Sequence, residues 1–181
     1  TVFEDFSAVF QKGQTTCMMA PSGAGKTTLL RILAGLEKAD SGQIEGLEGL
    51  RISMVFQEDR LCENLSASAN IRLVRGKKPW GRDKKLEAKI SKAMAAVGLG
   101  GCEDQPVREF SGGMRQRTAL LRALYSEWDV LFLDEPFKGL DEETKELVIE
   151  YTKKQCFGKT VIFVTHDRSE AGKMGGRLFK M

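Results

Sequence analysis

Ala20-Pro21-Ser22-Gly23-Ala24-Gly25-Lys26-Thr27-Thr28 is the stretch that decides the fold of this chain. It follows the apolar run Cys17-Met18-Met19 and opens a segment of helical character, Thr28-Leu29-Leu30-Arg31-Ile32-Leu33, so the order is strand, glycine loop, helix. That is the setting a phosphate-binding loop requires. A polyphosphate gathers several negative charges, and backbone N–H groups hold them best where no Cβ blocks the approach. Gly23 and Gly25 permit that curvature, and the helix starting near Lys26 adds unpaired N–H groups and the positive end of its dipole. Lys26 is expected to reach the β- and γ-phosphates, the Thr27 hydroxyl to coordinate Mg²⁺, and Ser22, Ala24 and Thr28 to complete the cradle. Ala20 stands where the G-x-x-x-x-G-K-[ST] pattern has its first glycine. Because it precedes Pro21 it is biased to an extended conformation, which alanine adopts readily.

With 181 residues the chain is long enough for one domain with a substantial core. Its apolar fraction of 41% and charged fraction of 29% are those of a soluble globular protein. A net charge of +3 is too small to argue for a nucleic-acid surface. Cys17, Cys62, Cys102 and Cys156 are scattered, with no C-x-x-C or Cys/His pairing, and read as reduced thiols of a cytosolic protein. No apolar stretch approaches the roughly 20 residues that span a bilayer, and the first residues do not resemble a signal peptide. Work at a membrane would therefore go through a partner.

Along the chain, residues 1 to 19 read as β-structure, with Phe6, Ala8 and Phe10 alternating with more polar neighbours before a turn at Lys12-Gly13-Gln14. Gln43 to Glu45 reads as a short strand and Arg51 to Phe56 as a clearer one ending at Gln57. From 58 to 110 the texture changes: Leu86, Ile90, Met94 and Val97 fall at helical spacing with Gly98 placed as a cap, so this stretch reads as a helical insertion in an α/β body. The basic run from Arg75 to Lys85 carries a single aromatic, Trp80, and reads as a solvated loop or helix face. From Ser111 the α/β pattern resumes, with a helix over Gly112 to Tyr125, a buried strand over Val130 to Leu133 and a helix to about Gln155 capped by Asp141. A strand over Thr160 to Val164, a short helix over Arg168 to Lys173 and a last strand over Arg177 to Lys180 follow.

The strand before Asp134-Glu135-Pro136 delivers two adjacent carboxylates to the carboxyl edge of a sheet, where α/β proteins bind ligands. Beside a phosphate loop, Asp134 suits Mg²⁺ and Glu135 suits the general base that polarises a water. By itself such a pair is as often a helix cap. His166, the chain's one histidine, follows the Thr160 to Val164 strand and is placed to contact a γ-phosphate and the attacking water. Gln57 also ends a strand, and its amide suits a bridge between Mg²⁺ and water.

Phe110-Ser111-Gly112-Gly113-Met114-Arg115-Gln116-Arg117 resembles the signature motif of ATP-binding-cassette (ABC) ATPases. Gln57, Asp134-Glu135, Gly139-Leu140-Asp141 and His166 stand in that family's order and approximate spacing, and the resemblance covers essentially the whole chain. It implies an α/β P-loop NTPase: a mostly parallel sheet flanked by helices, a small N-terminal antiparallel β part, and a helical subdomain over 58–110 inserted between core segments 1–57 and 111–181 of one domain. It implies ATP and Mg²⁺ as ligands, catalytic roles for Lys26, Gln57, Glu135 and His166, and metal contacts from Thr27, Gln57 and Asp134. Ser111, Gly112 and Gly113 form a second anion nest at a helix N-terminus. The family's head-to-tail pairing puts that nest over the ATP of a second copy, with Asp141 in the loop crossing between them. Met114 replaces a glutamine common in the family, and Lys138 stands where a small residue is usual. The aromatic that stacks on adenine is expected upstream of Thr1, so the chain reads as a trimmed piece or a short member.

The Val55-to-Leu61 stretch and Met114-Arg115-Gln116-Arg117 resemble bacterial importer subunits serving nitrate, sulfonate or taurine. The implied protein is the ATP-hydrolysing subunit of a transporter, cytoplasmic and peripheral on the inner face of the membrane. Its implied partners are transmembrane permease subunits docking near residues 57–70 and a solute-binding protein. The alternatives are a soluble ABC ATPase of DNA repair or translation, and a fragment that binds ATP without turnover.

Overall fold

The computed structural model describes residues 6–21, 23–75 and 83–180. Five parallel strands lie in the order β2-β3-β4-β1-β5: β1 is Thr15–Met19, β2 Ile52–Val55, β3 Val130–Asp134, β4 Thr160–Val164 and β5 Arg177–Lys180. The helices are α1 Lys26–Leu33, α2 Ala67–Arg72, α3 Lys84–Ala96, α4 Gly112–Tyr125, α5 Glu142–Cys156 and α6 Arg168–Met174, with 3₁₀ turns at Leu73–Arg75 and Val107–Glu109.

Continuous apolar strands follow from helices covering both sheet faces. Alternate side chains of one strand enter two different clusters, as period-two geometry requires. Leu131 and Leu133 of β3, with Val161 and Phe163 of β4, join a large cluster that runs through α2, α3, α4 and α5. Val130 and Phe132, with Ile162 and Val164, face the other way onto Leu29 and Leu30 of α1. The described residues of 58–110 contribute no strand to the sheet, yet Leu61, Ile71, Ile90, Met94 and Val97 share the large cluster with Leu120 and Leu121.

Local capping chemistry sets the helix ends. Ser66, Asp83, Ser111, Asp141 and Asp167 are N-caps whose side chains accept backbone N–H groups of the first turn. Gly98 ends α3 in the left-handed region at φ 71°, and Arg117 covers the freed carbonyls of Val97 and Gly98 at 2.8 and 3.1 Å.

Two expectations fail. Residues 6–14 form no strand, so the antiparallel β part is absent among the described residues before β1. Phe6 and Phe10 instead pack against Phe179 of β5, each ring centroid 6.1 Å away. Their alternation reflects one buried side, which a chain lying across a sheet satisfies without a ladder. Gln43 to Glu45 is likewise irregular and exposed, and pairs with neither edge strand of the sheet. Most of the basic run, residues 76–82, and Ser22 of the glycine loop lie outside the described residues.

Candidate functional site

All five strands run the same way, so β1, β2, β3 and β4 end on one edge, and the predicted site residues follow those ends. Gly23 and Gly25 adopt φ of 83° and 80°, a region open to glycine, and Gly25 is the N-cap of α1. Lys26 is only 8% exposed, and its ammonium donates to the carbonyls of Ala20 and Pro21, both at 2.7 Å. The Thr27 hydroxyl donates to Asp134 Oδ2 at 2.7 Å, joining the first turn of α1 to the end of β3.

Asp134 is 2% exposed, and burial pushes its carboxyl above the ordinary value, helped by the neighbouring charge of Glu135 and opposed by the Thr27 hydrogen bond. A buried carboxylate with a hydroxyl as its hydrogen-bond partner is poorly compensated, the condition a hard cation with oxygen ligands relieves. Thr27 and Asp134 therefore fit Mg²⁺.

Glu135 takes φ 47°, a left-handed conformation that costs a non-glycine residue about 1–2 kcal/mol. Its backbone N–H donates to Val164 O at 3.0 Å, so the turn is pinned to the end of β4. The side chain meets His166 Nδ1 through Oε1 at 3.1 Å and Lys138 Nζ through Oε2 at 3.3 Å. Partial burial would raise its pKa, but hydrogen bonds from His166 and Lys138 outweigh it and hold Glu135 below its ordinary value. The carboxylate is thus ionised and fixed at both oxygens.

Gln57, Gly112 and Gly113 line an adjoining cavity of about 670 Å³, together with Arg115, Lys138 and Gly139. A Cβ on Gly113 would come within 3.2 Å of Leu140 Cδ2, so the signature glycine admits the Gly139-Leu140-Asp141 loop against the start of α4. Ser111 and Asp141 are exposed N-caps, bonded to the N–H groups of Met114 at 3.3 Å and Thr144 at 3.0 Å. Lys26, Thr27, Asp134, Glu135 and His166 thus converge, while Ser111, Gly112, Gly113 and Asp141 belong to the neighbouring surface around α4 and α5. Thr28 lies in the first turn of α1 and Ala24 bends back onto Pro21 O at 3.2 Å.

Four contacts were not legible beforehand. Lys138 stood out only as a departure from the family pattern. Arg115 pairs with Asp59 through Nε–Oδ2 at 2.7 Å and Nη2–Oδ1 at 3.0 Å, and Arg122 donates to the carbonyls of Asp59 and Arg60 at 3.0 and 2.9 Å. The buried Glu170 accepts the Thr165 hydroxyl at 2.6 Å. No local pattern announces pairs so far apart or so ordinary in type.

The geometry has counterparts. The sulfate/thiosulfate import ATP-binding protein CysA of Xanthomonas campestris pv. campestris is 37% identical over 98% of this chain and 56% of its own length. The aliphatic sulfonates import ATP-binding protein SsuB 1 of Pseudomonas savastanoi pv. phaseolicola is 37% identical over the whole chain and 74% of its own length. The chain spans about half the length of the sulfate/thiosulfate relatives and of the iron importer subunits it also matches. A dimeric ATP-binding cassette, MJ0796, solved in a post-hydrolysis state bound to ADP and Pi, superposes with a TM-score of 0.85 at 26% identity, covering 99% of this chain and 86% of that one. The model of the ABC transporter family matches residues 3–138, and on these grounds the chain belongs to that family.

Proposed function

We propose that this chain is the ATP-hydrolysing cassette of a bacterial importer of a small solute. The observation that carries the reading is the convergence at one sheet edge of a buried lysine, the Thr27–Asp134 pair and the Glu135–His166 pair. Lys26 and the N–H groups of residues 23–27 would bind the phosphates of ATP. Thr27 and Asp134 would hold Mg²⁺, with Gln57 as a further contact; the ion supplies charge neutralisation at the β- and γ-phosphates. Glu135 would take the proton of the attacking water, with His166 fixing the carboxylate's orientation through Nδ1. The exposed Ser111 and the N–H groups of Gly112 and Gly113 would close over ATP bound to a second copy, and Asp141 would lie in the loop between copies. The dimeric state of the MJ0796 cassette supports that pairing.

Residues 1–57 and 111–181 would form the nucleotide-binding core, and 58–110 an inserted helical arm. Transmembrane permease subunits would dock near residues 57–70, with a solute-binding protein delivering the cargo and the cassette peripheral on the cytoplasmic face. No helix among the described residues is long and apolar enough to cross a membrane. The import functions named for the sulfate, sulfonate and iron relatives support the importer reading. Glu135→Gln tests the chemistry: ATP affinity stays within about threefold while hydrolysis falls about 10²-fold or more, the scale of a lost general base. Turnover at the wild-type rate would remove Glu135 from that role.

A further inference from the structure

His166 stands on the turn between β4 and α6, and that turn is braced by a chain of polar contacts buried beneath it. Thr165, 1% exposed, donates its hydroxyl to Glu170 Oε2 at 2.6 Å and accepts the N–H of Asp167 at 3.0 Å. The residue preceding His166 is therefore fixed through both functions of its hydroxyl. Glu170 is 5% exposed, and its other oxygen, Oε1, lies 3.5 Å from Lys145 Nζ. The same ammonium lies 3.5 Å from Asp167 Oδ2, on the far side of His166.

Lys145 belongs to α5, not to the turn. Its side chain is 16% exposed, and its backbone N–H donates to the carbonyl of Asp141 at 2.8 Å in the first turn of that helix. One lysine thus ties the turn carrying His166 to the helix that begins at the Gly139-Leu140-Asp141 loop. The outer pairs of Lys173 with Glu142 and Glu146 duplicate the link between α5 and α6, but those two glutamates are 68% and 61% exposed. Exposed pairs of that kind contribute little, so the more shielded Lys145–Glu170 pair is the one able to define a geometry.

We propose that Lys145 and Glu170 are positioning residues that set the register of the His166 turn against the Asp141 loop, and thereby the His166–Glu135 contact. The proposal rests on the reading of Glu135 and His166 given above. Neither residue need touch nucleotide. A small displacement of an aligning group lowers the rate of a chemical step without weakening binding, because binding and alignment draw on different contacts.

The test uses the full-length protein, with hydrolysis followed at saturating and limiting ATP–Mg²⁺. Lys145→Met should lower kcat about tenfold with KM within about twofold, and Lys145→Arg, which restores a cation facing Glu170, should recover most of the loss. Placed in a His166→Ala background, Lys145→Met should cost nothing further, since its effect passes through His166. Glu170→Gln should behave like Lys145→Met; if it fails to fold, the lysine variants at the margin of the network carry the test alone. A loss of the same fold-change in both backgrounds, or wild-type kcat in a Lys145→Met protein of lowered melting temperature, would overturn the proposal and leave a merely structural brace. Absence of hydrolysis by the wild type, or full hydrolysis by His166→Ala, would instead overturn the underlying reading of the site and the proposal with it.

Discussion

Asp59→Asn probes the clamp that holds the chain just beyond Gln57 onto α4. Asp59 receives Arg115 Nε at 2.7 Å and Nη2 at 3.0 Å, a two-point, charge-assisted contact between side chains 23% and 20% exposed. Hydrogen bonds to charged groups contribute about 1.5–3 kcal/mol each, whereas breaking a fully buried pair costs about 3–5 kcal/mol. Arg115 keeps Glu63 at 3.3 Å and the Val107 carbonyl at 3.3 Å, so it is not stranded. The net loss should therefore fall at about 1.5–3 kcal/mol. With an unfolding entropy of about 2.1 cal/mol/K per residue, a chain of 181 residues loses about 4–8 °C in Tm.

The same pair fixes a pH signature. Hydrogen bonding from Arg115 comes first among the causes that hold the Asp59 carboxyl below its ordinary value, against a smaller opposing effect of burial. The ionised form is thus the one folding favours. Its contribution is complete above the unfolded pKa of about 3.9 and is lost as pH falls through the lower folded-state value. The stability gap between wild type and Asp59→Asn, measured by urea unfolding, should stay constant from about pH 8 to pH 5 and close only in stronger acid. A gap that narrows toward neutral pH, a Tm change below about 1 °C, or an equal loss for Asp59→Asn in an Arg115→Met background would refute the assignment.

Three further outcomes are expected. Gly176→Ala should destabilise by about 1–3 kcal/mol, because its Cβ would sit 2.7 Å from the backbone oxygen of Thr15 and force β1 from β5; wild-type Tm would contradict that packing. Lys138→Ser removes a pair whose lysine is 54% exposed, so Tm should hold within about 2 °C, and hydrolysis should not fall, since His166 still orients Glu135; a tenfold loss of turnover would show that the ammonium is required there. Mixing Lys26→Ala chains with Ser111→Arg chains should restore part of the activity each lacks, because one of the two composite sites in a mixed dimer stays intact; no recovery in verified mixed dimers would argue against pairing in trans.

What could be read in advance was local or periodic. The helix over Gly112 to Tyr125 and the strand over Thr160 to Val164 carry their own caps and apolar runs, and both form with the predicted bounds. The glycine loop, the Asp134-Glu135 pair and His166 are each identified by the strand they follow, and parallel topology then brings the strand ends together. The failures lie where one pattern has two physical solutions. Alternation at Phe6, Ala8 and Phe10 requires a single buried side, and lying across β5 meets that need as well as a ladder would. Contacts over long separations were also hidden, since 56 positions divide Asp59 from Arg115 and neither residue type is unusual. The left-handed turn at Glu135 belongs to the same class: the sequence Asp-Glu-Pro does not announce φ 47°, which arises because Glu135 N–H is held by Val164 O while Oε1 and Oε2 are held by His166 and Lys138. Strain of about 1–2 kcal/mol at that residue persists only while β4 and its turn stay in place. The same β4 turn is the one braced by Thr165, Glu170 and Lys145, so loosening the brace should reach Glu135 through its contact with His166. Alignment of the carboxylate is therefore a property of three elements together, β3, β4 and α5, rather than of the motif that names it.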